Sequence, residues 1–163
     1  MGSGAEISAD AQWMREAINA ALEARSEGEV PIGACIVTEG KLVSIAGNRT
    51  RRDSDPTAHA EIVALRQAAK TVGNYRLTEA VVYSTIEPCA MCAGALIQAR
   101  VKRLVYGARD EKAGAVESHF AICDTDFLNH RIPVTTGVLE RECRELMQQF
   151  FRGRQQETDE EEA

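Results

Sequence analysis

The amino-acid sequence predicts a single α/β domain in which one mixed sheet carries helices on both faces. Three observations lead to this fold class. The chain has 163 residues, a length that fits one domain with a single core. Hydrophobic residues make up 44% and charged residues 27%, as in an ordinary globular protein. A hairpin pattern is followed by alternating strand and helix patterns, and this alternation favours parallel strands with helices packed against them.

The first part of the chain predicts a helix and a β-hairpin. Apolar residues at helical spacing indicate a helix over residues 10–27, with Asp10 as its candidate N-cap. Two β-rich runs, at 32–38 and 42–48, indicate a pair of strands. Residues 39–41 join them and include a glycine, so we expect a tight turn there.

The remainder of the chain alternates between helices and strands and ends in an acidic tail. The patterns predict a helix at 58–72, a strand at 80–86, a helix at 89–100, a strand at 101–108, a short strand at 132–136 and a helix at about 139–154. Together with the hairpin, these strands make a five-stranded mixed sheet. The segment 109–130 has no regular period. We therefore expect a flexible N-terminus (1–9), one domain (10–154) and a disordered acidic tail (155–163).

Several features favour a cytoplasmic protein that does not contact a membrane. No apolar run approaches the roughly 18 residues of a spanning helix, and the N-terminus lacks the basic and apolar regions of a signal peptide. The five cysteines then belong to a reducing compartment and not to a disulfide framework. Cys35, Cys123 and Cys143 are scattered, and we expect them to behave as small hydrophobic residues of the core.

The net charge of −6 at first argues against an anionic partner such as RNA. Five acidic residues of the tail account for most of it, and the remaining 20 acidic residues nearly balance 19 basic ones. Basic side chains precede the predicted helix at 58–72 and lie near the end of the chain: Arg49, Arg51, Arg52, Arg152 and Arg154. They are candidates for phosphate contacts, and ordinary solvated positions are the alternative.

Two short motifs carry the chemistry of the sequence. His59-Ala60-Glu61 opens one predicted helix, and a Pro-Cys-x-x-Cys motif with Cys89 and Cys92 opens the next. Residues three apart lie on one face of a helix, and a helix N-terminus stabilises thiolates. Two thiolates and one imidazole are a typical protein ligand set of a catalytic zinc site, which leaves a fourth position for water. The spacing of His59 and Glu61 brings them together only at a helix start.

A structural zinc site is the alternative interpretation of these motifs. Such a site usually has four protein ligands, whereas three residues with matched spacing are evident here. The two other histidines, His119 and His130, lie in the segment without a regular period.

The combination of H-x-E and P-C-x-x-C resembles the signature of zinc-dependent nucleoside and nucleobase deaminases. Further blocks narrow the resemblance to the bacterial tRNA-specific adenosine deaminases, in the order of that family, from about residue 10 to 154. These blocks are DPTAHAEI (55–62), NYRL (74–77), EPCAMCAGA (87–95), GARDEKAG (107–114), NHR (129–131) and FFR (150–152).

The resemblance implies a cytidine deaminase-like, three-layer α/β/α fold and a homodimer. It implies hydrolytic deamination of adenosine to inosine at the wobble position of a tRNA anticodon stem-loop, with one zinc ion per subunit. The zinc ligands would be His59, Cys89 and Cys92, and the proton shuttle would be Glu61. The positions that match substrate-binding residues of the family are Asn48, Asp110, Phe151 and Arg152.

Two other functions stay open on the sequence. A small-molecule nucleobase deaminase acting on guanine or cytosine shares both motifs but needs neither NHR (129–131) nor a basic rim. A non-catalytic, zinc-stabilised partner subunit is the third possibility, although such a subunit could dispense with Glu61. Residues 116–128 match the family poorly, which puts any substrate contact from that segment in doubt. His119, in this segment, either lines the site or lies on the surface.

Overall fold

The computed structural model describes the backbone of residues 4–162 and the side chains of residues 9–162. This part of the chain forms four helices and five strands. In chain order they are α1 (Gly4–Ser26), β1 (Gly33–Thr38), β2 (Lys41–Gly47), α2 (Ala60–Val72), β3 (Ala80–Ile86), α3 (Ala90–Ala99), β4 (Arg103–Ala108), β5 (Val134–Thr136) and α4 (Glu140–Glu162). Among these helices, none combines the length and the apolar character needed to cross a membrane.

The five strands form one mixed sheet in the order β2-β1-β3-β4-β5. Strand β1 runs antiparallel to both of its neighbours, whereas β3, β4 and β5 are parallel to one another. The β1–β2 turn has positive φ at Glu39 (52°) and Gly40 (75°). Positive φ at both central residues is the geometry of a two-residue hairpin turn whose twist matches that of its strands. The predicted five-stranded mixed sheet is confirmed.

Helices cover both faces of this sheet because successive side chains of a strand point to opposite sides. On β3, Val82 belongs to a core cluster with residues of α2 and α3, such as Leu65 and Leu96. The next residue, Tyr83, belongs to a second cluster that contains residues of α1 and α4. The fold therefore has three layers, with α2 and α3 on one side and α1 and α4 on the other, as the sequence predicts.

The start of α1 differs from the prediction. The helix begins at Gly4, so the predicted flexible segment 1–9 is helical from residue 4, and residues 1–3 lie outside the described part. Asp10 is consequently inside the helix and not its N-cap. Its buried carboxylate instead accepts hydrogen bonds from Tyr83 on β3 and Arg103 on β4. Asp10 therefore bonds to residues distant in sequence, and not to the backbone at the start of its own helix as an N-cap would.

The C-terminal end differs as well. Helix α4 continues through Glu162, so residues 155–162 form an exposed helix and not the predicted disordered tail. Residue 163 lies outside the described part. The continuation is consistent with local preference, because glutamine and glutamate are good helix formers. Gly153, two residues before this segment, does not end the helix.

Candidate metal centre

The two predicted motif residues on the α2 side lie at the start of that helix. His59 is the N-cap of α2, with extended backbone angles (φ −67°, ψ 153°), and Glu61 lies in the first turn. Within a helix, each residue is rotated by about 100° about the axis, so side chains two residues apart point to different faces. His59 precedes the helix, so this rotation does not separate its ring from the side chain of Glu61. The helix start thus gives the two residues the arrangement that their spacing requires.

The two cysteines lie at the start of α3, directly after β3. Cys89 is the N-cap, again with extended backbone angles (φ −73°, ψ 177°), and Cys92 lies in the first turn and is buried. The Ala93 N–H donates to the Cys89 carbonyl at 2.8 Å, which closes this first turn. Pro88 precedes the N-cap, where its missing N–H costs no helical hydrogen bond. Both helix starts therefore lie at the site, and their N–H groups favour anionic ligands there.

Three donor atoms converge in this arrangement. The Nδ1 atom of His59 lies 3.5 Å from the Sγ atoms of both Cys89 and Cys92. The ligand atoms of the three residues all lie within 4.8 Å of one another. A tetrahedral zinc centre, with bonds of about 2.0–2.1 Å to nitrogen and about 2.3 Å to sulfur, separates these ligand types by about 3.6 Å. The donor set therefore fits zinc in chemistry and in spacing.

The two remaining histidines do not belong to this group. The Nε2 atom of His119 lies 2.5 Å from the carbonyl oxygen of Glu111, and that of His130 lies 2.9 Å from the carbonyl oxygen of Val101. Within the described residues, the metal-binding group contains His59, Cys89 and Cys92 alone. Three protein ligands correspond to a catalytic zinc site with one open position, and four are usual at a structural site.

Hydrogen bonds among the three donor residues favour a negatively charged thiolate at Cys89 and a positively charged ring at His59. A hydrogen bond from the Cys92 thiol, together with one from His59, lowers the pKa of Cys89 to about 3. The hydrogen bond with Cys89 raises the pKa of His59, and the same thiolate raises the pKa of Cys92. A thiolate at Cys89 is the form that binds a metal ion.

Glu61 is a buried carboxylate beside the three donor atoms. Its residue is only 2% exposed, and burial raises its pKa, against the opposing hydrogen bond from the Cys92 thiol. The Ser84 hydroxyl lies 3.2 Å from Glu61 Oε1 and 2.7 Å from the Ile86 carbonyl oxygen. A lone glutamate in the first turn of a helix is ordinarily solvated. The burial of a carboxylate is unfavourable unless it is paired with another group, so a buried Glu61 indicates a hydrogen-bond partner or a functional role.

Asn48 lies at the end of β2, close to the start of α2. The N–H of the following residue, Arg49, donates to the carbonyl oxygen of Ala58 at 2.9 Å. The Asn48 amide nitrogen donates to Glu29 Oε2 at 3.3 Å and to Thr50 Oγ1 at 3.2 Å. Glu29 is fully buried, and its carboxylate also accepts the N–H groups of two residues of the 49–55 loop. The sequence did not single out Glu29, because no motif or period distinguishes it.

Asp110 and Phe151 line a shared groove of about 630 Å³ between the end of β4 and α4. The groove also contains three basic side chains, Arg109, Lys112 and Arg144, and the Lys112 ammonium lies 5.2 Å from the centre of the Phe151 ring. Arg152 follows on the exposed surface of α4 and is not one of the residues that line the groove. The structure thus brings two of the four predicted substrate residues together.

The arginines of the loop ahead of α2 contact neighbouring groups, and two of the three pair with acids. Arg49 forms two hydrogen bonds of 3.0 Å with Asp53, and Arg52 forms an ion pair with Glu27. The Arg51 guanidinium donates to the Gly28 carbonyl oxygen at 3.2 Å. These contacts help to hold the loop in place. Two of the three cations of the Asp110 groove are paired as well, Arg109 with Glu117 at 3.0 Å and Arg144 with Glu140 at 3.4 Å.

The sequence profile described as the cytidine and deoxycytidylate deaminase zinc-binding region matches residues 7–108. The tRNA-specific adenosine deaminase of Haemophilus influenzae is 46% identical over 149 residues, which cover 91% of this chain and 86% of that protein. The tRNA-specific adenosine deaminase of Agrobacterium fabrum is 48% identical and covers 82% of this chain and 90% of its own length.

A solved structure from studies of A-to-I editing by tRNA:A34 deaminases, at the wobble position of transfer RNA, has a similar fold. Its TM-score is 0.81 at 44% sequence identity, and the match covers 83% of this chain and 98% of that one. A guanine deaminase from Bacillus subtilis is less similar, with a TM-score of 0.59 at 32% identity over 66% of this chain and 80% of its own.

Proposed function

Because this chain belongs to the zinc-binding cytidine and deoxycytidylate deaminase family, we propose that it converts adenosine to inosine at the wobble position of a tRNA anticodon. The observation that carries the proposal is the buried Glu61 carboxylate beside three metal donors, since a structural zinc site needs no such group. The substrate follows from the relatives, which act on tRNA adenosine by name at 46% and 48% identity. The reaction consumes one water molecule and releases ammonia.

In this proposal, Nδ1 of His59 and the Sγ atoms of Cys89 and Cys92 would hold the zinc ion. Zinc bound there supplies a Lewis acid that lowers the pKa of a water molecule. The burial of Cys92 keeps bulk water away from one side of the donor set. The N-cap positions of His59 and Cys89 hold the other two ligand side chains at the mouth of the site.

Glu61 moves the protons of the reaction. Its carboxylate accepts a proton from the attacking water and delivers it to N1 of adenine as the new C6–O bond forms. The second proton of the same water then passes through the carboxylate to the amino group. The C6–N bond breaks, and ammonia leaves. The Ser84 hydroxyl lies 3.2 Å from Oε1 and shares its one hydrogen between this oxygen and the nearer Ile86 carbonyl oxygen, at 2.7 Å.

Asn48 is the proposed contact to the reacting nucleoside. Glu29 and Thr50 engage its amide nitrogen at 3.3 and 3.2 Å, so the carbonyl oxygen Oδ1 is the atom that we assign to the substrate. An amide oxygen accepts a hydrogen bond, and adenosine offers its amino group and its ribose hydroxyl as donors.

The groove that contains Asp110 and Phe151 is the proposed path of the flanking nucleotides. Exposed aromatic rings stack with bases of single-stranded RNA, and basic side chains attract its phosphates. Phe151 is 48% exposed, and Lys112 and Arg144 lie in the same groove. Arg152, on the exposed surface beside Phe151, would extend this contact along the anticodon loop.

We further propose that the active species is a cytoplasmic homodimer. The segment between β4 and β5 exposes large apolar side chains, with Phe120 at 62%, Phe127 at 95% and Leu128 at 42%. Such side chains in one segment are typical of an interface. Light scattering at the concentrations used in the assay should give the mass of two chains.

The deciding experiment is deamination of an anticodon stem-loop that carries adenosine at the wobble position, with free guanine and cytosine tested alongside. Glu61→Gln should retain zinc and lose activity by a factor of about 10² to 10⁴, the typical contribution of a positioned acid–base group. Glu23→Gln makes the same chemical change on the exposed surface of α1 and should leave the rate unchanged.

Inosine formed only in the stem-loop supports the proposal. Its rate at low substrate concentration should fall steeply between about 50 and 200 mM salt, because phosphate contacts release counterions. Ammonia from a free base with the stem-loop untouched would instead identify a nucleobase deaminase. Undiminished activity in Glu61→Gln would show that another residue carries the protons.

A further inference from the structure

Glu87 is a buried carboxylate between the metal motif and the substrate groove, and the proton transfers above make no use of it. It lies one residue beyond the end of β3 and two residues before Cys89, and it is 1% exposed. Its main-chain N–H donates to the carbonyl oxygen of Ala108 at 2.8 Å, which continues the pairing of β3 with β4. A buried glutamate at this point requires hydrogen-bond partners.

The partners all come from the loop that follows β4. Oε2 of Glu87 accepts the N–H groups of Val116, Glu117 and Ser118 at 3.1, 2.9 and 2.9 Å. Oε1 accepts the N–H of Asp110 at 3.2 Å and the hydroxyl of Ser118 at 2.5 Å. One carboxylate therefore receives five donors, and four of them are backbone groups.

The backbone of the loop is shaped around this carboxylate. A Cβ atom on Gly114 would lie 2.4 Å from both Cδ and Oε1 of Glu87, so only glycine fits there. The next residue, Ala115, donates its N–H to the Pro88 carbonyl oxygen at 2.9 Å. In the described structure, residues 109–133 form neither helix nor strand. Since no regular ladder holds the loop, the Glu87 carboxylate is the principal group that fixes its near end.

We propose that Glu87 is a positioning residue that fixes Asp110, and the loop 110–118, relative to the metal centre. The same residue is tied to the zinc ligand Cys89 through two peptide bonds and to Asp110 through one hydrogen bond. One side chain thus links the metal motif to the loop that borders the groove lined by Asp110 and Phe151. This inference deepens the proposed function and rests on it for the identity of the substrate.

An isosteric substitution distinguishes the hydrogen bonds of Glu87 to residues 116–118 from its hydrogen bond to Asp110. In Glu87→Gln, the amide oxygen can still face the three N–H groups of residues 116–118. The amide nitrogen then faces the Asp110 N–H, so two donors oppose each other, whereas the Ser118 hydroxyl can rotate and accept. Glu87→Gln should therefore release Asp110 selectively. Glu79→Gln is the matched control, because Glu79 is exposed and pairs only loosely with Lys102, at 3.6 Å.

The first measurement is amide hydrogen exchange in the zinc-loaded protein. Glu87→Gln should raise the exchange rate of the Asp110 amide by about 10-fold, the effect of losing one hydrogen bond to a charged group. Glu79→Gln should leave that rate unchanged, and all variants should retain one zinc ion per chain. Unchanged exchange at Asp110 in Glu87→Gln would overturn the proposal, whatever the activity.

The second measurement is a double-mutant cycle on the stem-loop. Glu87→Gln should lower kcat/KM by about 10-fold, mainly through KM, in the chain that has Asp110, and by less than about 2-fold in the Asp110→Ala background. An equal loss in both backgrounds would overturn the positioning role. If the unsubstituted chain leaves the stem-loop unchanged, the proposed function fails, while the exchange rates still decide whether Glu87 holds the loop.

Discussion

Replacing Asp10 by asparagine should destabilise the fold although Asp10 belongs to neither the metal centre nor the groove lined by Asp110 and Phe151. Asp10 Oδ1 accepts the Tyr83 hydroxyl at 2.7 Å and the Arg103 Nη2 group at 2.8 Å, and Oδ2 accepts Nη1 at 2.9 Å. The residue is 5% exposed. These bonds join α1 to β3 and β4, so the substitution affects the contact between a helix and the centre of the sheet.

The expected loss follows from these contacts. A hydrogen bond to a charged group contributes about 1.5–3 kcal/mol, and the loss of one partner from a fully buried ion pair costs about 3–5 kcal/mol. Asparagine keeps one acceptor oxygen, and the Arg103 side chain is 28% exposed, so water can replace part of the lost interaction. We therefore expect Asp10→Asn to lower the free energy of unfolding by about 2–3 kcal/mol.

An exposed ion pair of the same type provides the control. Glu142 pairs with Arg15 through both carboxylate oxygens, with side-chain exposures of 45% and 47%. Glu142→Gln should cost less than about 1 kcal/mol, because solvent screens exposed pairs. Urea unfolding should be measured at one fixed free zinc concentration, since zinc bound only to the folded chain adds stability by mass action. Equal losses in the two variants would refute this reasoning.

The pH dependence provides a second check on Asp10. Burial opposes ionisation of this carboxyl group, but the hydrogen bonds from Arg103 and Tyr83 outweigh it and hold the pKa below the ordinary value of 3.8. A lowered pKa in the folded state stabilises the fold above pH 3.8, and this contribution is lost as the pH falls further. The difference in the free energy of unfolding between the unsubstituted chain and Asp10→Asn should therefore be constant near neutral pH and shrink below pH 3.8.

Three further predictions concern the packing of a glycine, the thiols, and the acidic helix, by which we mean residues 155–162 at the end of α4. Gly33→Ala should lower the free energy of unfolding by at least about 1–3 kcal/mol in urea titrations, because the new Cβ would lie 1.9 Å from the Ala17 carbonyl oxygen. Gly94→Ala, with no atom within 4 Å of the new Cβ, should not destabilise, and equal losses in the two variants would contradict this account. In the zinc-loaded protein, a thiol reagent at pH 8 should label Cys35, Cys123 and Cys143 slowly, because all three are buried and burial raises their pKa values to about 12, 11 and 12. Chelation of zinc should then expose Cys89 to rapid labelling in peptide mass spectrometry, and rapid labelling before chelation would show that Cys89 is not a ligand. The side chains of residues 155–162 are all exposed, so the unfolding midpoint should stay constant after truncation at residue 154. The affinity for the stem-loop at low salt, measured by fluorescence anisotropy, should rise about 2- to 5-fold because five acidic residues are lost. A lower midpoint or weaker binding would show that the acidic helix contacts the domain or the RNA.

Local patterns predicted most of the fold. Strand β3 has the predicted bounds of 80–86, and α2 and α3 begin within two residues of their predicted starts. These elements are strongly patterned, and their helix caps and turn residues lie within the same short segments. The ends of the chain were predicted less well. The candidate cap at Asp10 and the run of acidic residues after residue 156 were given more weight than the helix preference of glutamine and glutamate, and the helices continue through both positions.

The sequence by itself determined the chemistry of the metal centre. Two of the three donors, Cys89 and Cys92, lie in one helix turn, so their spacing alone brings them together. The H-x-E motif gives the third donor and the proposed acid–base group, and both lie at a helix start in the structure. Residue type and short spacing are sufficient here because a metal ion selects its ligands by their chemistry.

Only the tertiary structure decided the roles of Glu29 and Glu87. Each has the sequence surroundings of an ordinary solvated glutamate, and each is almost fully buried in the fold. Their partners are the amide of Asn48 and backbone N–H groups of the loops after β2 and β4. Such donors become available only when the sheet brings distant segments together and excludes water, since a carboxylate exchanges its hydration for N–H groups only in that environment.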